Sequence, residues 1–259
     1  MINNSLIAPN VLIGGGDDPP DNPMAKEMRI LYKKGFKYDN KPAYQVTRNA
    51  ALKSGIDPAL LFASSFQEGM NKAIAKPDET EKYLQEKGWF NKDFPVSGYD
   101  FYGLDTFGSR ADDFIKKGYL PSDFKNRYTN VEMENDHMKK DPKTGKMIPD
   151  PQVVMSADFK TNEDALMAKA AFLRAESDSV KDYAKKKGIP LDDDSLNYFT
   201  LASYNAGFHN AQAMLDEFAK AKDKKKFLKE GLTSRKGVHK NISPRLQNML
   251  LAKQLLSEE

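Results

Sequence analysis

The sequence predicts a mainly α-helical protein with one small β-hairpin lobe, and three observations lead to that fold class. Apolar residues recur at helical spacing in several separate segments. Asp, Thr and Gly residues typical of helix caps bound those segments, and residues 127–158 alone carry the pattern of paired strands. With 259 residues, 39% of them hydrophobic, the chain is long enough to bury a sizeable core.

The chain is predicted to consist of an N-terminal arm, residues 1–38, and one folded domain, residues 39–259. A run of glycines, aspartates and prolines at 14–20 interrupts any regular element. We therefore expect the arm to be extended or peripheral, and regular structure to begin near Pro42.

Two helices open the predicted domain. Apolar residues from Tyr44 to Leu52 indicate a first helix that ends at Gly55. Asp57 is then an N-cap residue and Pro58 occupies the first helical position, so a second helix is expected to follow. Its apolar stripe continues for several turns.

The middle of the chain is predicted to change from helix to loop and then to strand. A short charged helix is expected over 77–88, a loop over 89–108 and a further helix over 109–117. Two strands around a turn at 141–145 are expected between residues 127 and 158.

The remainder of the chain is predicted to be helical. Thr161–Asp164 starts a long helix that runs to Gly188, and the acidic run beginning at Asp192 precedes the next one. Two more helices are expected over 209–220 and 244–256.

Composition excludes several classes of site and partner. The chain has no cysteine, so disulfides and Cys-based metal sites are excluded, and its three histidines lie far apart in the sequence. No run of about 18 apolar residues exists, so no membrane span is expected. The 40 basic and 37 acidic residues nearly cancel, and no nucleic-acid recognition motif is present. The Lys-rich stretch 220–230 is therefore interpreted as a solvated helix face, and binding of nucleic acid through residues 220–240 is the disfavoured alternative.

Glu68 is the first candidate for a catalytic residue. It lies late in an otherwise apolar helix and directly before Gly69, which either ends the helix or leaves room for a sugar ring. Desolvation raises the pKa of a carboxylic acid held among apolar neighbours, and a general acid needs a raised pKa to keep its proton at neutral pH. The alternative is a glutamate on a solvated helix face, which is the commoner case when Glu68 is considered alone.

The second candidate is the segment Ala202–Gly207 at the predicted end of a helix. Tyr204 can present a hydroxyl group near the acid, and Asn205 can offer an amide to the N-acetyl group of a sugar. The alternative is an ordinary helix C-terminus with Gly207 in the left-handed cap conformation.

Taken together, these segments resemble one family. Ser54–Leu61 followed by Gln67–Glu68 resembles the opening of the lytic transglycosylase (soluble-type) and goose-type lysozyme domain. Leu201–Gly207 is similar to that family's Ala-Tyr-Asn-Ala-Gly signature, and Tyr102–Asp105 stands where the family has a Gly-Leu-Met-Gln turn. The resemblance covers residues 42 to 256.

The resemblance implies a lysozyme-like α+β fold, with a helical bundle, a substrate groove and the hairpin as its small lobe. It also implies cleavage of the β-1,4 bond between N-acetylmuramic acid and N-acetylglucosamine in peptidoglycan, with Glu68 as the single acid/base. The substrate-binding residues that it implies are Gln67, Tyr102, Gly103, Leu104, Asp105, Tyr204, Asn205 and Gly207.

Two departures from the family leave an inactive protein as the competing hypothesis. Gly69 stands where a serine usually follows the catalytic glutamate, and Asp105-Thr106 replaces the Met-Gln of the turn. Because folds persist after activity is lost, a lysozyme-like structural or interaction protein of a bacteriophage particle is the alternative to an enzyme.

The predicted strand pair resembles the β-lobe of flagellar-type glucosaminidases, which belong to the same superfamily and take a second glutamate from a hairpin. By that resemblance Glu132 or Glu134 is a candidate second carboxylate, and Asp100 and Asp105 are further candidates. A hydrolase needs a base to position water, whereas a lytic transglycosylase closes an anhydro ring with one acid/base. Muramidase, transglycosylase and glucosaminidase stay open, and none of them requires a metal or organic cofactor.

The start of the chain carries no pattern of a secretory signal, because Met1–Gly16 has no Lys or Arg and only a short apolar stretch. A wall-cutting domain with this start and a Gly/Pro-rich arm is typical of a bacteriophage particle component or an endolysin. We therefore expect synthesis in the cytoplasm, docking of the arm to other virion proteins, and action on glycan strands in the host cell wall or periplasm.

Overall fold

The computed structural model describes residues 37–38, 41–70, 96–135, 138–230, 248–249 and 251–253. The described elements, in chain order, are β1 (Lys37–Tyr38), β2 (Lys41–Pro42), α1 (Ala43–Ser54), α2 (Pro58–Ser65), a π-helical turn (Phe66–Met70), β3 (Val96–Ser97), α3 (Gly98–Tyr102), α4 (Phe107–Lys116), a 3₁₀ helix (Ser122–Arg127), β4 (Tyr128–Asn135), β5 (Met138–Lys140), β6 (Met147–Pro149), β7 (Gln152–Phe159), α5 (Asn162–Lys187), α6 (Asp193–Ala206), α7 (Phe208–Lys220) and α8 (Lys224–Glu230).

Helices dominate the described part of the chain, and the strands form only small antiparallel sheets. The expectation of a mainly α fold is therefore confirmed. None of the helices in the described ranges combines the length and the apolar character needed to cross a bilayer.

Helix α5 is the longest element, and α1, α6 and α7 pack against it. The Thr161 hydroxyl accepts a hydrogen bond from the Asp164 amide at its start, and Gly188 ends it with a φ of +67°. Both ends lie where the sequence predicts them. The buried face of α5 includes one cation, Lys169, whose side chain is fully enclosed.

Helix α1 ends, and α2 begins, where their caps predict. Gly55 ends α1 in the left-handed conformation, and the Asp57 carboxylate accepts the Ala59 amide at 2.8 Å to open α2. The other oxygen of Asp57 accepts a hydrogen bond from Asn197 Nδ2 at 3.0 Å, so this cap also joins α2 to α6.

The second helix does not end at Gly69, which was one of the two interpretations of that glycine. The chain passes from α2 directly into the π-helical turn Phe66–Met70, which contains Glu68 as well as Gly69. Phe66 anchors the turn because its side chain is fully buried. A π turn holds an additional residue, which changes the direction of the side chains that follow, and such turns are frequent at functional sites.

The expectation of a loop over 89–108 is wrong for the described part of that range. Val96–Ser97 pairs with the end of β7, and the next five residues form α3. A Cβ atom on Gly98 would lie 2.6 Å from the Ala157 carbonyl oxygen, so only glycine permits α3 to pack this closely on β7. Helix α4 begins at Phe107 rather than at residue 109. The helix predicted over 77–88 lies outside the described residues.

The β-lobe contains more strands than the two predicted. β4 and β7 pair in antiparallel register with Tyr128 opposite Phe159, and β3 pairs with the other edge of β7. Beyond this ladder, β5 and β6 form a second hairpin around Asp141, whose carboxylate accepts two backbone amides of the turn. These local hydrogen bonds divide the segment into two nested hairpins, which strand alternation by itself does not reveal.

A cluster of aromatic rings joins the β-lobe to the helices. Phe107 of α4 lies at its centre, with the rings of Tyr128 and Phe159 at centroid distances of 5.1 and 5.2 Å. Phe172 of α5 contacts Phe114 at 4.9 Å. Full burial of such a ring stabilises the fold by about 1.5–3 kcal/mol. The cluster therefore holds α4, α5 and the β-lobe in a fixed arrangement.

Gly207 separates α6 from α7, which together cover the two helices expected after 192 and over 209–220. Its φ of +84° and ψ of 149° are not those of the left-handed cap that the alternative interpretation required. Residues 248–249 and 251–253, inside the helix expected over 244–256, are helical. At the other end, Lys37–Tyr38, the last residues of the predicted arm, pair with Lys41–Pro42, and residues 1–36 lie outside the described residues.

Candidate functional site

A cavity of about 580 Å³ opens between the π-helical turn, α3, α4, α5 and the C-terminal end of α6. Its volume falls within the range of pockets that bind small ligands. The residues that line it are Glu68, Tyr99, Gly103, Asp105, Thr106, Arg110, Phe172, Glu176, Tyr204 and Asn205.

Gly103 brings the backbone of the α3–α4 connection into direct contact with Glu68. A Cβ atom at Gly103 would lie 2.9 Å from Glu68 Oε2 and 3.1 Å from its Cγ, which is closer than real Cβ contacts. Gly103 also has a φ of +60°, a conformation that costs a residue with a side chain about 1–2 kcal/mol. Both observations favour glycine here, and the first places the half-buried carboxylate of Glu68 against this turn.

A network of hydrogen bonds around Lys169 also holds the connection between α3 and α4 in place. Lys169 Nζ donates to the Tyr102 carbonyl oxygen at 2.9 Å and to the Tyr204 hydroxyl oxygen at 2.5 Å. The Tyr204 hydroxyl in turn donates to the Gly103 carbonyl oxygen at 2.8 Å. The lysine therefore connects three elements, α3, α5 and α6, at the wall of the cavity, and its ammonium lies 3.9 Å from the centroid of the Tyr204 ring.

Asp105 contributes a second carboxylate to the cavity. Burial raises the pKa of the Asp105 carboxyl above its ordinary value, and the nearby Glu68 carboxylate raises it further. Hydrogen bonds from the Asp105 and Thr106 backbone amides and the charge of Lys169 act in the opposite direction, yet the net direction of the pKa shift is upward. Glu68 and Asp105 are therefore close enough to repel each other when both are ionised.

Helices α4 and α5 form the other side of the cavity with Arg110 and Glu176. The Glu176 carboxylate accepts a hydrogen bond from the Ser203 hydroxyl, and its Oε1 atom lies 3.8 Å from Arg110 Nη1. The Arg110 guanidinium lies over two aromatic rings, with its carbon 4.6 Å from the Phe172 centroid and 4.8 Å from the Phe114 centroid. This wall therefore combines a flat apolar surface with one cation and one anion.

Five of the residues that the resemblance implied lie together at the cavity, although long stretches of sequence separate them. They are Glu68, Gly103, Asp105, Tyr204 and Asn205. Asn205 Nδ2 donates to the Leu201 carbonyl oxygen at 2.8 Å, so its amide nitrogen is used within α6.

Four of the implied substrate-binding residues do not line this cavity. The Gln67 side-chain oxygen accepts a hydrogen bond from Asn248 at 3.1 Å, which directs it toward the C-terminal helix. Tyr102 is fully buried, and its hydroxyl donates to Asn162 Oδ1 at 2.6 Å. Leu104 is also fully buried in the core, and Gly207 is exposed at the junction of α6 and α7. The tyrosine of α3 that lines the cavity is Tyr99, one turn before Tyr102.

The candidate hairpin carboxylates also lie away from the cavity. Glu132 and Glu134 are exposed on β4 and do not line it. The second carboxylates at the cavity are Asp105, which the sequence had named, and Glu176, which it had not. Asp100 lies in α3, and its side chain is outside the described part of the chain.

The cavity residues that sequence reasoning missed are Tyr99, Thr106, Arg110, Phe172 and Glu176. A signal for part of this set exists in α5, where Lys169, Phe172 and Glu176 follow one another at spacings of three and four and so share one helix face. Lys169 is a charged residue inside an otherwise apolar stripe, and that conflict with the pattern marks the face that borders the cavity.

No group of three or more His, Asp or Glu residues in the described ranges is arranged to hold a metal ion. No protein-family model, no curated protein and no solved structure matches the chain.

Proposed function

We propose that this chain is a lysozyme-like glycosidase that cleaves the β-1,4 bond between N-acetylmuramic acid and N-acetylglucosamine in peptidoglycan, with Glu68 as the acid/base. One observation carries the proposal: the half-buried Glu68 faces a cavity that is also lined by Tyr204 and Asn205, the two residues of the distant signature. A carboxylic acid at the wall of a sugar-sized cavity is the central requirement of glycosidic bond cleavage.

In the proposed reaction, Glu68 donates its proton to the glycosidic oxygen as that bond breaks. Burial and the nearby Glu68 carboxylate raise the pKa of the Asp105 carboxyl, so the two carboxyl groups interact electrostatically at the cavity wall. Gly103 allows the glutamate to lie at the turn without steric conflict, and Tyr204 holds that turn through its carbonyl oxygen. The partly exposed ring of Tyr99 offers apolar surface against which the face of a sugar ring can pack.

Two fates of the cationic sugar are compatible with these residues. In a transglycosylase, Glu68 takes the proton of the sugar's 6-hydroxyl group, which closes the anhydro ring. In a hydrolase, a second carboxylate positions a water molecule, and Asp105 and Glu176 are the cavity residues with the required chemistry. Asp105 lies within electrostatic range of Glu68, which makes it the first of the two to test.

The experiment compares the wild-type protein with Glu68→Gln on purified peptidoglycan, followed by loss of turbidity and release of soluble fragments. General acid catalysis contributes roughly 10²–10⁴-fold, and a loss of that size is expected in the variant. Glu163→Gln is the matched control, because Glu163 pairs with Lys53 at the start of α5 and does not line the cavity. If wild type, control and Glu68→Gln are all folded and all leave the wall intact, the proposed activity is wrong and a structural or interaction role replaces it.

Mass spectrometry of the fragments identifies the reaction. Fragments ending in anhydromuramic acid indicate a transglycosylase, and fragments with a reducing muramic acid end indicate a muramidase. Fragments with a reducing N-acetylglucosamine end indicate a glucosaminidase, which would correct the bond assigned here while retaining Glu68 as the acid.

A further inference from the structure

We propose that Arg110 binds a carboxylate group of the substrate, so that the cavity selects glycan strands with acidic sugars over neutral strands of N-acetylglucosamine. This inference rests on the proposed function, because it names the residue by which that site would recognise its substrate class.

The charges of the cavity lining point to Arg110. Among the lining residues that the structure describes, three are acidic, namely Glu68, Asp105 and Glu176, and Arg110 is the one that is basic. Lys169 does not serve this role, since it is fully buried behind the wall and its ammonium donates to Tyr102 and Tyr204. A carboxylate on a ligand would therefore be repelled by these three acidic residues when they are ionised and attracted by Arg110.

The guanidinium of Arg110 is held in place without using its hydrogen-bond donors on the described residues. Phe114 and Phe172 support it through their ring faces, and 37% of the side chain is accessible. Within the described ranges it forms no hydrogen bond, and its ion pair with Glu176 is long at 3.8 Å. A planar group that is already oriented loses little conformational entropy when a ligand binds to it.

Glu176 fixes the direction of the guanidinium and leaves donors for a second carboxylate. One oxygen of Glu176 accepts the Ser203 hydroxyl, which holds the carboxylate, and the other faces Nη1 of Arg110. Arginine has five N–H donors in a fixed fork and can bind two carboxylates at once, whereas lysine presents a single point charge. An arginine that lines the cavity and faces Glu176 only through Nη1 therefore suits a bidentate contact with a ligand carboxylate.

Peptidoglycan can supply this chemistry in two ways. N-acetylmuramic acid carries a lactyl ether whose carboxylate is free in stripped strands and forms an amide where a stem peptide is attached. The stem peptide has carboxylates of its own. Chitin-type oligomers of N-acetylglucosamine have the same backbone and no carboxylate, which makes them the neutral comparison.

The test measures kcat/KM for the wild-type protein, Arg110→Gln and Arg110→Lys on three substrates. These are N-acetylglucosamine oligomers, glycan strands stripped of peptide by an amidase, and strands that retain their stem peptides. The expected result is that the ratio of acidic to neutral kcat/KM falls about 10- to 100-fold in Arg110→Gln, the size of one charged hydrogen-bonded contact. Arg110→Lys should recover only part of the ratio, because it cannot bind in a bidentate manner.

The two acidic substrates distinguish the source of the carboxylate. If the ratio of acidic to neutral kcat/KM falls only for stripped strands, Arg110 binds the lactyl carboxylate. If the ratio falls only for peptide-bearing strands, Arg110 binds a carboxylate of the stem peptide. Arg174→Gln is the matched control, because Arg174 lies on α5 and does not line the cavity. Its guanidinium donates hydrogen bonds to the Gly55 carbonyl oxygen and to the Asp178 carboxylate. An Arg110→Gln protein whose ratio equals that of wild type overturns the proposal, as does an equal loss in Arg174→Gln.

A second readout separates this inference from the proposed function. Titration calorimetry measures binding without turnover, and it compares Glu68→Gln with the double variant Glu68→Gln/Arg110→Gln. Each protein is titrated with stripped strands and with the same strands after amidation of their carboxyl groups. Weaker binding of the unmodified strands when Arg110 is replaced supports carboxylate recognition even if the wild-type protein cuts nothing. Equal binding of both strand types to both variants contradicts it even if the protein is an active glycosidase.

Discussion

Lys169 Nζ lies 2.5 Å from the hydroxyl oxygen of Tyr204, and this hydrogen bond connects the middle of α5 to the C-terminal turn of α6. The same tyrosine donates to the Gly103 carbonyl oxygen, and Gly103 lies against Glu68. The buried lysine therefore supports, through Tyr204 and Tyr102, the turn against which the proposed acid lies, and we assign it as a positioning residue.

Breaking this hydrogen bond should lower stability in a coupled manner. Lys169→Met and Tyr204→Phe each remove one of the two partners and leave a buried polar group unsatisfied, so each is expected to lower the free energy of unfolding by about 1–3 kcal/mol. Because both changes remove the same contact, the double variant should lose less than the sum of the two, by roughly 0.5–3 kcal/mol. Urea unfolding of the four proteins measures this coupling, and strictly additive losses would show that the contact contributes nothing.

Replacing Gly103 by alanine should damage the site more than the fold. The positive φ alone predicts a loss of about 1–2 kcal/mol, and the added methyl group must displace the Glu68 carboxylate. Gly118→Ala is the matched control, since Gly118 has a φ of +71° and nothing within 4 Å of the added Cβ. Both variants should show similar shifts in thermal unfolding, whereas wall cleavage should fall on the order of 10²-fold in Gly103→Ala only. Equal activity in the two variants would refute the importance of this contact.

The titration of Asp105 should make stability depend on pH in a predictable direction. Its raised native pKa means that the folded protein keeps this proton to a higher pH than the unfolded chain does. The contribution to stability is then fully present below the ordinary pKa of 3.8 and is lost as the pH rises through the native value. The free energy of unfolding of wild type minus that of Asp105→Asn should therefore decrease with rising pH across this window, as urea unfolding at a series of pH values can test.

The Glu68 charge is one cause of that shift, and its removal should be visible at Asp105. In Glu68→Gln the like charge is absent, so the pKa of the Asp105 carboxyl should move back toward its ordinary value. Carbon-13 NMR titration of the side-chain carboxyl groups follows this directly. An unchanged Asp105 titration in the variant would mean that the two carboxylates do not interact.

A series of four carboxylate replacements should separate cavity residues from lobe residues. If the reaction is hydrolytic, Asp105→Asn or Glu176→Gln should lower kcat by at least tenfold, because these carboxylates line the cavity and Glu132 and Glu134 do not. Glu132→Gln and Glu134→Gln, being exposed, should stay close to the wild-type rate. A large loss in either hairpin variant would indicate that the lobe closes on the substrate and would restore the second-carboxylate role implied by the glucosaminidase resemblance.

Local signals in the sequence were sufficient for most helix boundaries. Thr161, Gly188, Asp57 and Gly55 act through hydrogen bonds or backbone conformations that involve only a few neighbouring residues, so their effect can be predicted without knowing the fold. The loop expected over 89–108 failed for the opposite reason, since β3 and α3 exist there through pairing with β7 and close packing at Gly98. A local sequence pattern does not predict contacts with a strand some 60 residues downstream.

By itself, the sequence determined the helical class, the positions of the caps, and the pairing of Glu68 with the Tyr204–Asn205 segment as candidates for one site. Tertiary structure alone decided which neighbours share the cavity: Tyr99 instead of Tyr102, Glu176 in addition to Asp105, and Arg110 as its cation. The physical reason is that side chains a few positions apart on a helix point in different directions, and only packing decides which direction is the cavity. The Tyr204–Gly103 hydrogen bond, between residues 101 positions apart, exists only once α3, α5 and α6 have come together.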